Sequence, residues 1–551
     1  ISFLENCNIQ FENVIMSHCT GIETAGLVLN ETIASIDTLM VDNCDWNSTS
    51  IDITGNSKLS LKNGNFNKVS SNSNGAAIYA WQNEGSQSNI KIFNTTFDSC
   101  NVIESGGAIS LHGIDSLLID GCTFTENSAD LPSSGGAINI SNLHFTEITN
   151  TNFSYNTASN AGAIDSWNTN KIIINECNFI GNIATSESAG AISINGDENE
   201  VVYSEIKNTS FLNNSCSELG GAIWIGSSIG QIGNVDFIGN KAGGGGAISG
   251  HHLEEISIYN SIFQENTSNI HEGGAMLING DGNDVVYIDS TTFEANVDST
   301  GPGGAIQLSN IAKASIKNSN FEGNKAKLNG GGISSWDIDS LFIKNSTFDG
   351  NESTDGEGGA INPAGNANST SYIEIDSTII SNNRALHDGG GIKFSVGSTT
   401  TFSNSTISDN SSNYGGGLHI RGNATLNNVV IKNNTAYEHG GGIDVYNATL
   451  NLNNSLLINN ISNGGEFVPD PNSVVNINNS TLSGNQDGLN GCNDCGDINF
   501  SEGKATIHNT IIWNNNISQE TNASVTATYS DIEGGFTGTG NIDANPIFCD
   551  T

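Results

Sequence analysis

The sequence Phe124-Thr125-Glu126-Asn127, followed by Gly135-Gly136-Ala137-Ile138, contains two motifs that recur along the chain. Most copies have a Phe-x-x-Asn-like motif and then a Gly-Gly-Ala-Ile-like motif, and the spacing between copies varies from 24 residues (Ile407 to Ile431) to 32 (Phe179 to Phe211). A looser copy lies near Trp46. The regular anchors are Phe66, Phe97, Phe124, Phe153, Phe179, Phe211, Phe237, Phe263, Phe293, Phe321 and Phe348, followed by Ile379, Ile407, Ile431, Leu457, Leu482 and Ile512.

Each copy contains short apolar stretches that favour β-strands. Ser116-Leu117-Leu118-Ile119 and Lys171-Ile172-Ile173-Ile174 are examples, and Asn and Gly residues separate them without any helical period. A repeat of this size cannot enclose a core alone, but it can stack on its neighbours. Hexapeptide coils are shorter, leucine-rich repeats need a leucine consensus, and propeller blades are longer. The pattern therefore predicts an all-β fold, a single right-handed parallel β-helix of about eighteen coils.

The repeat also predicts where its residues point. The Phe side chains should stack inside, and the residue two positions earlier, usually Ser but Cys44, Cys122 or Cys177 in three copies, should face inward too. The Asn of Phe-x-x-Asn should adopt a left-handed turn conformation and hydrogen-bond along the stack. The paired glycines should allow a sharp bend.

The regularity of the repeats predicts three regions. Residues 1–60 form degenerate N-terminal coils, residues 61–463 form the regular β-helix, and residues 464–551 form irregular C-terminal coils with inserted loops. Because the chain begins and ends within the pattern, we expect it to be a fragment of a longer exported polypeptide.

Composition narrows the possible partners. Lys and Arg total 17 against 58 Asp and Glu, which gives a net charge of −41. Such a chain has no basic surface for nucleic acid. It also contains no run of eighteen apolar residues that could insert into a membrane. The acidity is typical of a well-solvated extracellular surface and is compatible with divalent cations.

The two motifs resemble the polymorphic outer-membrane protein repeat, within the pectate-lyase-like class of β-helices. The resemblance covers roughly residues 60 to 460, and the segments Asn509 to Asn514 and Tyr529 to Phe548 resemble the ends of large exported bacterial β-helix proteins. It implies a bacterial adhesin or display protein at the outer cell surface or outside the cell.

A column of outward-facing residues follows each Gly-Gly-Ala-Ile isoleucine by three positions. It includes Trp81, Trp167, Trp336 and Tyr446 beside Asn, Ser and His residues. Flat aromatic faces next to hydrogen-bonding groups are typical of sugar-binding surfaces. We therefore predict glycan binding by these four residues; the alternative is that each ring covers a loop.

Two acidic loops are candidates for calcium. Asn195-Gly196-Asp197-Glu198-Asn199-Glu200 and Asn279-Gly280-Asp281-Gly282-Asn283-Asp284 are similar to each other. Asp197, Glu198, Glu200, Asp281 and Asp284 could supply the oxygen ligands that Ca²⁺ prefers, although hydrophilic turns explain the same residues. Elsewhere, Cys492-Asn493-Asp494-Cys495 favours a local disulfide over free thiols or a metal site.

One cluster supports an enzyme. Lys393, His419, Arg421 and Asp444 lie at corresponding positions of three successive coils, and a polysaccharide lyase needs a cation to neutralise a uronate and a base to remove a proton. A solvated polar face is the alternative. The sequence as a whole favours a non-enzymatic adhesin or structural display protein that contacts glycans or other cell-surface components. A polysaccharide lyase or hydrolase, and a self-assembling filament subunit, are the alternatives.

Overall fold

The computed structural model describes residues 2–21, 25–83, 85–130, 132–197, 201–364, 371–467, 471–488, 498–500, 502–519 and 521–548. They form two compact units: a first unit of residues 1–271 and 275–278, and a second of residues 272–274 and 279–551. Within these described ranges there is no helix, and the strands define about eighteen turns of parallel solenoid. The predicted all-β parallel β-helix is confirmed. The boundaries at residues 60 and 463 rest on repeat regularity and stay a prediction.

Residues 116–141 illustrate one coil. It contains a long strand (Ser116–Asp120), a phenylalanine strand (Thr123–Thr125), a short strand (Ser128–Ala129) and a glycine strand (Ile138–Ser141). Each strand pairs in parallel with its equivalent one coil later, so that Phe124 lies opposite Phe153. The two sequence motifs therefore set the register of the stack.

The strands of the first unit follow this order after a less regular start. The first strands are Ser2–Glu5, Asn8–Ser17, Thr20–Gly21, Leu27–Asn30, Ile33–Trp46 and Ile51–Thr54. The long strands are Lys58–Lys62, Asn89–Phe93, Ser116–Asp120, Phe145–Thr149, Lys171–Asn175, Val202–Lys207, Ser228–Gly233 and Glu255–Tyr259. The phenylalanine strands are Asn65–Ser71 (which includes the short strand), Thr96–Asp98, Thr123–Thr125, Asn152–Ser154, Asn178–Ile180, Ser210–Leu212, Asp236–Ile238 and Ile262–Gln264. The short strands are Asn101–Val102, Ser128–Ala129, Thr157–Ala158, Ile183–Ala184, Ser215–Cys216, Lys241–Ala242 and Thr267–Ser268. The glycine strands are Ile78–Trp81, Ile109–His112, Ile138–Ser141, Ile164–Trp167, Ile192–Asn195, Ile223–Gly226, Ile248–His251 and Met276–Asn279, whose last residue belongs to the second unit.

The second unit repeats the arrangement. Its long strands are Val285–Asp289, Tyr372–Asp376, Thr399–Ser403, Asn423–Asn427, Thr449–Asn453, Val474–Asn478, Lys504–His508 and Ser524–Thr528, and in Ile306–Lys317 and Ile333–Lys344 the glycine and long strands are continuous. The phenylalanine-type strands are Thr292–Glu294, Asn320–Glu322, Thr347–Asp349, Ile379–Ser381, Thr406–Ser408, Val430–Lys432, Leu456–Ile458, Thr481–Ser483, Ile511–Trp513 and Asp531–Ile532. The short strands are Val297–Asp298, Lys325–Ala326, Glu352–Ser353, Arg384–Ala385, Ser411–Tyr414, Thr435–His439, Ile461–Ser462 and Gln486–Asp487. The remaining strands are Ile361–Ala364, Ile392–Phe394, Leu418–Ile420, Ile443–Val445, Ile498–Phe500 and Ile517–Gln519.

The phenylalanines form the core of each unit, as predicted. In the first unit the rings from Phe66 to Phe263 stack nearly parallel, with centroids 4.6 to 5.0 Å apart. In the second unit Phe293, Phe321 and Phe348 stack with separations of 4.8 and 4.5 Å. Each fully buried ring contributes about 1.5–3 kcal/mol through removal of apolar surface from water.

One anchor predicted from the sequence was wrong. Phe348 pairs with Ile380 rather than Ile379, whose side chain is 50% exposed, because neighbouring strand residues face opposite sides of the sheet. The looser copy near Trp46 places Val41 opposite Phe66. The inward position of Cys44, Cys122 and Cys177 is confirmed, since all three are buried.

A buried ladder of asparagines runs beside the phenylalanines. The Nδ2 of Asn156 donates to Oδ1 of Asn182 at 2.9 Å and to the carbonyl of Phe124 at 3.0 Å, while its own Oδ1 accepts both the backbone N–H and Nδ2 of Asn127. Every polar hydrogen and lone pair of the amide is therefore used. The same pattern includes Asn182, Asn214 and Asn240 in the first unit and Asn324, Asn351, Asn383, Asn410, Asn434 and Asn460 in the second.

Hydrogen bonding along the stack is thus confirmed, but the left-handed conformation belongs to the preceding residue. Glu126, Tyr155 and Asn213 have φ values of 54°, 56° and 54°. The ladder asparagine has to point its side chain inward, which it does with an ordinary backbone conformation. The left-handed conformation of the turn is therefore adopted by the residue before it. The glycine pair also bends as predicted, since Gly106 has a φ of 72°. Its second glycine is required by close packing, because a Cβ on Gly107 would lie 2.0 Å from the carbonyl oxygen of Gly136 in the next coil.

Asn240→Ala tests the ladder. It would remove the acceptor of the buried backbone N–H of Asn214 and of one of its two Nδ2 hydrogens, while the other hydrogen still bonds to the carbonyl of Phe179. It would also remove one donor to the carbonyl of Phe211. Leaving a buried donor unsatisfied costs about 1–3 kcal/mol, so we expect a loss of at least about 2 kcal/mol in unfolding free energy by urea denaturation. The control, Asn178→Ala, removes an exposed asparagine bonded to Asn152 and should cost less than about 1 kcal/mol. Equal losses would contradict the assignment.

Candidate functional site

In the first unit, the predicted aromatic column lies at one register position of the glycine strands. Trp81 is opposite His112, which is opposite Ser141, which is opposite Trp167. Trp81 is 63% exposed and Trp167 is 47% exposed, so neither ring is covered by a loop. The imidazole of His112 stacks against Trp81 with ring centroids 4.0 Å apart, which holds one indole face and leaves the ring oriented outward.

A pocket of about 400 Å³ adjoins Trp81. Amide and hydroxyl side chains line it together with the indole: Asn56, Gln82, Asn83 and Ser86, beside Gly55 and Gly85. Neutral hydrogen-bonding groups around one aromatic face are suited to a polyhydroxylated ligand.

In the second unit, Trp336 lies opposite Ser309 on one side and Ala364 on the other. Its side chain is 60% exposed. Tyr446, 47% exposed, carries the guanidinium of Arg421 against its ring, with Cζ 4.7 Å from the ring centroid. Tyr446 is therefore partly engaged in a cation–π contact, a role that the sequence did not predict.

A groove of about 590 Å³ runs along this part of the second unit. Aromatic, amide and charged side chains line it, namely Trp336, Gln307, Asn329, Asn362, Lys393, Arg421, Glu272 and Glu357, with Pro302, Ser309, Ser334, Ser335, Ala364, Ser395 and Val396. It brings Trp336 of the predicted aromatic column together with Lys393 and Arg421 of the predicted catalytic cluster.

The four residues of the predicted catalytic cluster separate into two environments. Lys393, His419 and Asp444 lie opposite one another in successive strands and are 8%, 4% and 5% exposed. The alternative of a solvated polar face is therefore wrong for these three. Arg421 lies two residues beyond His419 and lines the groove.

Close contacts pair the buried ionisable groups with one another. Lys393 Nζ contacts a carboxylate oxygen of Glu357, and His419 lies 2.9 Å from Asp444 through Nδ1 and 3.6 Å from Asp388 through Nε2. Burial raises the pKa of Asp388, and the neighbouring His419 opposes that rise. Because His419 and Asp444 do not line the groove, the ionisable groups of the groove itself are Lys393, Arg421, Glu272 and Glu357.

The two acidic loops differ in how much of them the structure describes. Glu198 and Glu200 of the first loop, like Cys492 and Cys495, lie outside the described residues, and Asp197 is exposed. In the second loop the carboxylate of Asp284 accepts the backbone N–H of Asp281 at 2.7 Å, and Asp281 accepts that of Asn283 at 2.9 Å. Over the described ranges no group of three or more His, Cys, Asp and Glu side chains is arranged to hold a metal ion. Calcium binding stays a prediction.

Glu466, which was not predicted from the sequence, has a carboxyl group that is almost completely buried. Its two oxygens accept the backbone N–H groups of Gly442 at 2.5 Å and Ile443 at 2.9 Å. In an earlier coil the equivalent N–H groups, of Gly391 and Ile392, both donate to the carbonyl of Gly417 in the next glycine strand. Glu466 thus replaces a backbone acceptor. The available signal was Gly464-Gly465-Glu466-Phe467, which puts an ionisable residue after a glycine pair.

Comparisons with known proteins agree with the repeat. Residues 246–429 match the family model described as the right handed beta helix region, and residues 121–141 and 208–226 match the Chlamydia polymorphic membrane protein repeat. The predicted resemblance and the right hand are confirmed by these matches. No curated protein matches the chain significantly. A mutant of the PL6 family alginate lyase AlyGC aligns with 94% of this chain and 97% of its own at 9% identity, but the TM-score of 0.17 supports no structural inference. Among the described residues no helix is long and apolar enough to span a bilayer.

Glu466 predicts a pH dependence of stability. Burial raises the pKa of Glu466 from its ordinary value of 4.5 to about 7. The folded protein therefore binds this proton more tightly than the unfolded chain, so its contribution is fully present below pH 4.5 and is lost as the pH rises to 7. A shift of this size corresponds to about 3 kcal/mol.

The measurement is the unfolding free energy at pH 5 and pH 8 for the wild type and for Glu466→Gln, which cannot titrate. Between these values the wild type should lose about 2.5 kcal/mol relative to the variant, because part of the contribution is already lost at pH 5. Glu438→Gln, at an exposed position, serves as control and should follow the wild type. Parallel pH profiles for the wild type and Glu466→Gln would show that Glu466 does not titrate in this range.

Proposed function

We propose that this chain is the extracellular, surface-displayed part of a bacterial protein and that it binds glycans through its outward aromatic column. The observation that carries the proposal is the exposure of Trp81, Trp167 and Trp336 at one repeat position, with Trp81 and Trp336 each forming part of a pocket. The repeats that match the polymorphic membrane protein model support a location at the cell surface.

The chemistry of the pockets supports a carbohydrate rather than a protein or nucleic acid partner. An indole face accepts the C–H face of a sugar, and the surrounding amides pair with its hydroxyls. With 17 Lys and Arg against 58 Asp and Glu, the chain lacks the extended basic surface that would neutralise the closely spaced phosphates of nucleic acid. Because one chain carries both pockets, weak single contacts can combine on a long polysaccharide.

Trp81→Ala and Trp336→Ala test the proposal on a glycan array and by isothermal titration. Loss of one stacking platform should weaken binding to the corresponding pocket about tenfold, since aromatic contacts contribute about 0.5–1.5 kcal/mol beyond burial. Trp513→Ala, at a half-buried tryptophan of the strand Ile511–Trp513, is the matched control and should bind as the wild type does. Equal binding by all four proteins, or no binding by the wild type, would contradict the proposal.

A second candidate, a polysaccharide lyase, is favoured by one observation: Lys393 and Arg421 line the same groove as Trp336. A lyase pairs a cation that neutralises the uronate carboxylate with a base that removes the proton at C5, and the glycosidic oxygen leaves with the bond electrons to give an unsaturated sugar. In this arrangement the Lys393 side chain is occupied by its contact with Glu357.

Incubation with pectate and alginate tests this candidate, with ultraviolet absorbance of the unsaturated product as the readout. On the binding proposal the absorbance stays constant for the wild type. An increase that Arg421→Gln abolishes would establish the lyase and replace the binding proposal.

A further inference from the structure

We infer that the groove of the second unit binds a glycan segment that carries a carboxylate, with Arg421 recognising the carboxylate and Trp336 carrying the neighbouring sugar ring. This inference rests on the proposed function and specifies its ligand class. It assigns to Arg421 a binding role that does not require catalysis.

The shape of the groove follows from one outward position in four successive coils. Trp336, Ala364, Ser395 and Arg421 each follow their coil's glycine motif at the same distance, and Trp336 and Ala364 are direct partners across the sheet. Three strand steps separate the indole from the guanidinium, which is about 14 Å along the stack. Because Ala364 and Ser395 are small, they leave a trough between two large side chains, and a short oligosaccharide fits such a length.

Two amide side chains of the groove provide hydrogen-bonding groups. Gln307 and Asn362 both line the groove and are 2% and 1% exposed. Gln307 donates from Nε2 to Ser309 Oγ at 3.0 Å, but within the described residues neither its Oε1 nor the Oδ1 of Asn362 has a hydrogen-bond partner. Buried amide oxygens are paired in almost all proteins. Hydroxyl groups of a bound sugar are suitable donors for them.

Arg421 is the cation of the groove that stays available. The Lys393 ammonium is already paired with Glu357, whereas none of the ion pairs among the described residues includes Arg421. The stack of its guanidinium on Tyr446 fixes the plane of the group and leaves the N–H edges as donors. A fixed planar fork of N–H groups matches a carboxylate in two parallel hydrogen bonds.

The acidic residues of the groove do not occupy the guanidinium of Arg421. Glu357 is held by Lys393, and Glu272 belongs to a coil five strand steps from Arg421, about 24 Å along the stack. Asp388 is the acidic group near Arg421, and it faces His419 at 3.6 Å. A uronate carboxylate therefore meets an arginine whose N–H edges are not committed to a protein anion.

The experiment compares each acidic oligosaccharide with its neutral counterpart. Short oligomers of galacturonate, mannuronate and guluronate, and the methyl ester of each, are titrated into the wild type, Arg421→Gln, Arg421→Lys and Trp336→Ala. At least one acid should bind the wild type tenfold or more tightly than its ester. Arg421→Gln should remove that difference by lowering the affinity for the acid to that for the ester, and Arg421→Lys should keep only part of the difference, because a lysine keeps the charge but not the fork. Lys317→Gln removes an exposed cation of a long strand outside the groove and should behave as the wild type.

Failure of the inference differs from failure of the proposed function. Equal affinity for acids and esters, with both lost in Trp336→Ala, would overturn the role of Arg421 and retain glycan binding. The same conclusion follows if acids are preferred but Arg421→Gln keeps the preference. If neither acids nor esters bind while other array glycans bind in a Trp81-dependent manner, the inference fails and the proposed function stands. No binding of any glycan would overturn both.

Discussion

The buried asparagine ladder is the constraint on which the rest of the structure depends. An amide in an apolar core is tolerated only when its two hydrogens and its oxygen are all paired, and here the partners come from the coils before and after it. This requirement fixes the register of successive coils at zero offset. A coil displaced by one residue would leave buried polar groups without partners and would turn the phenylalanines out of the core.

Exact repetition of the register also determines the shape of the surface on which the site lies. Outward positions of equivalent strands form straight lines, so the size of the side chain at each position determines whether the surface there is raised or recessed. The groove exists because small residues at Ala364 and Ser395 lie between Trp336 and Arg421. Loops contribute the remaining wall through Glu357.

Much of the fold and part of the site followed from the sequence, since a strict repeat turns spacing into position. The phenylalanine core and the exposed tryptophans were predicted because each recurs at a fixed distance from a motif. Ile379 was misassigned because two isoleucines stand side by side and only pairing decides which faces inward. The burial of Lys393 and His419 was not predictable from spacing, because the segment before each glycine pair covers them. Glu466 was missed because its role is to replace an acceptor that the next coil normally supplies.

The ladder also limits how such a protein can change its length. Residues can be added where a coil is open to solvent, between its strands, and the observed variation between copies lies there. A piece of a coil cannot be removed without orphaning the amide above and the amide below. Duplication or deletion of one entire coil, in contrast, rejoins equivalent partners and leaves every bond of the ladder intact. The whole coil is therefore the unit by which this architecture can be lengthened or shortened, and each such step adds or removes one outward position together with the side chain that stands there.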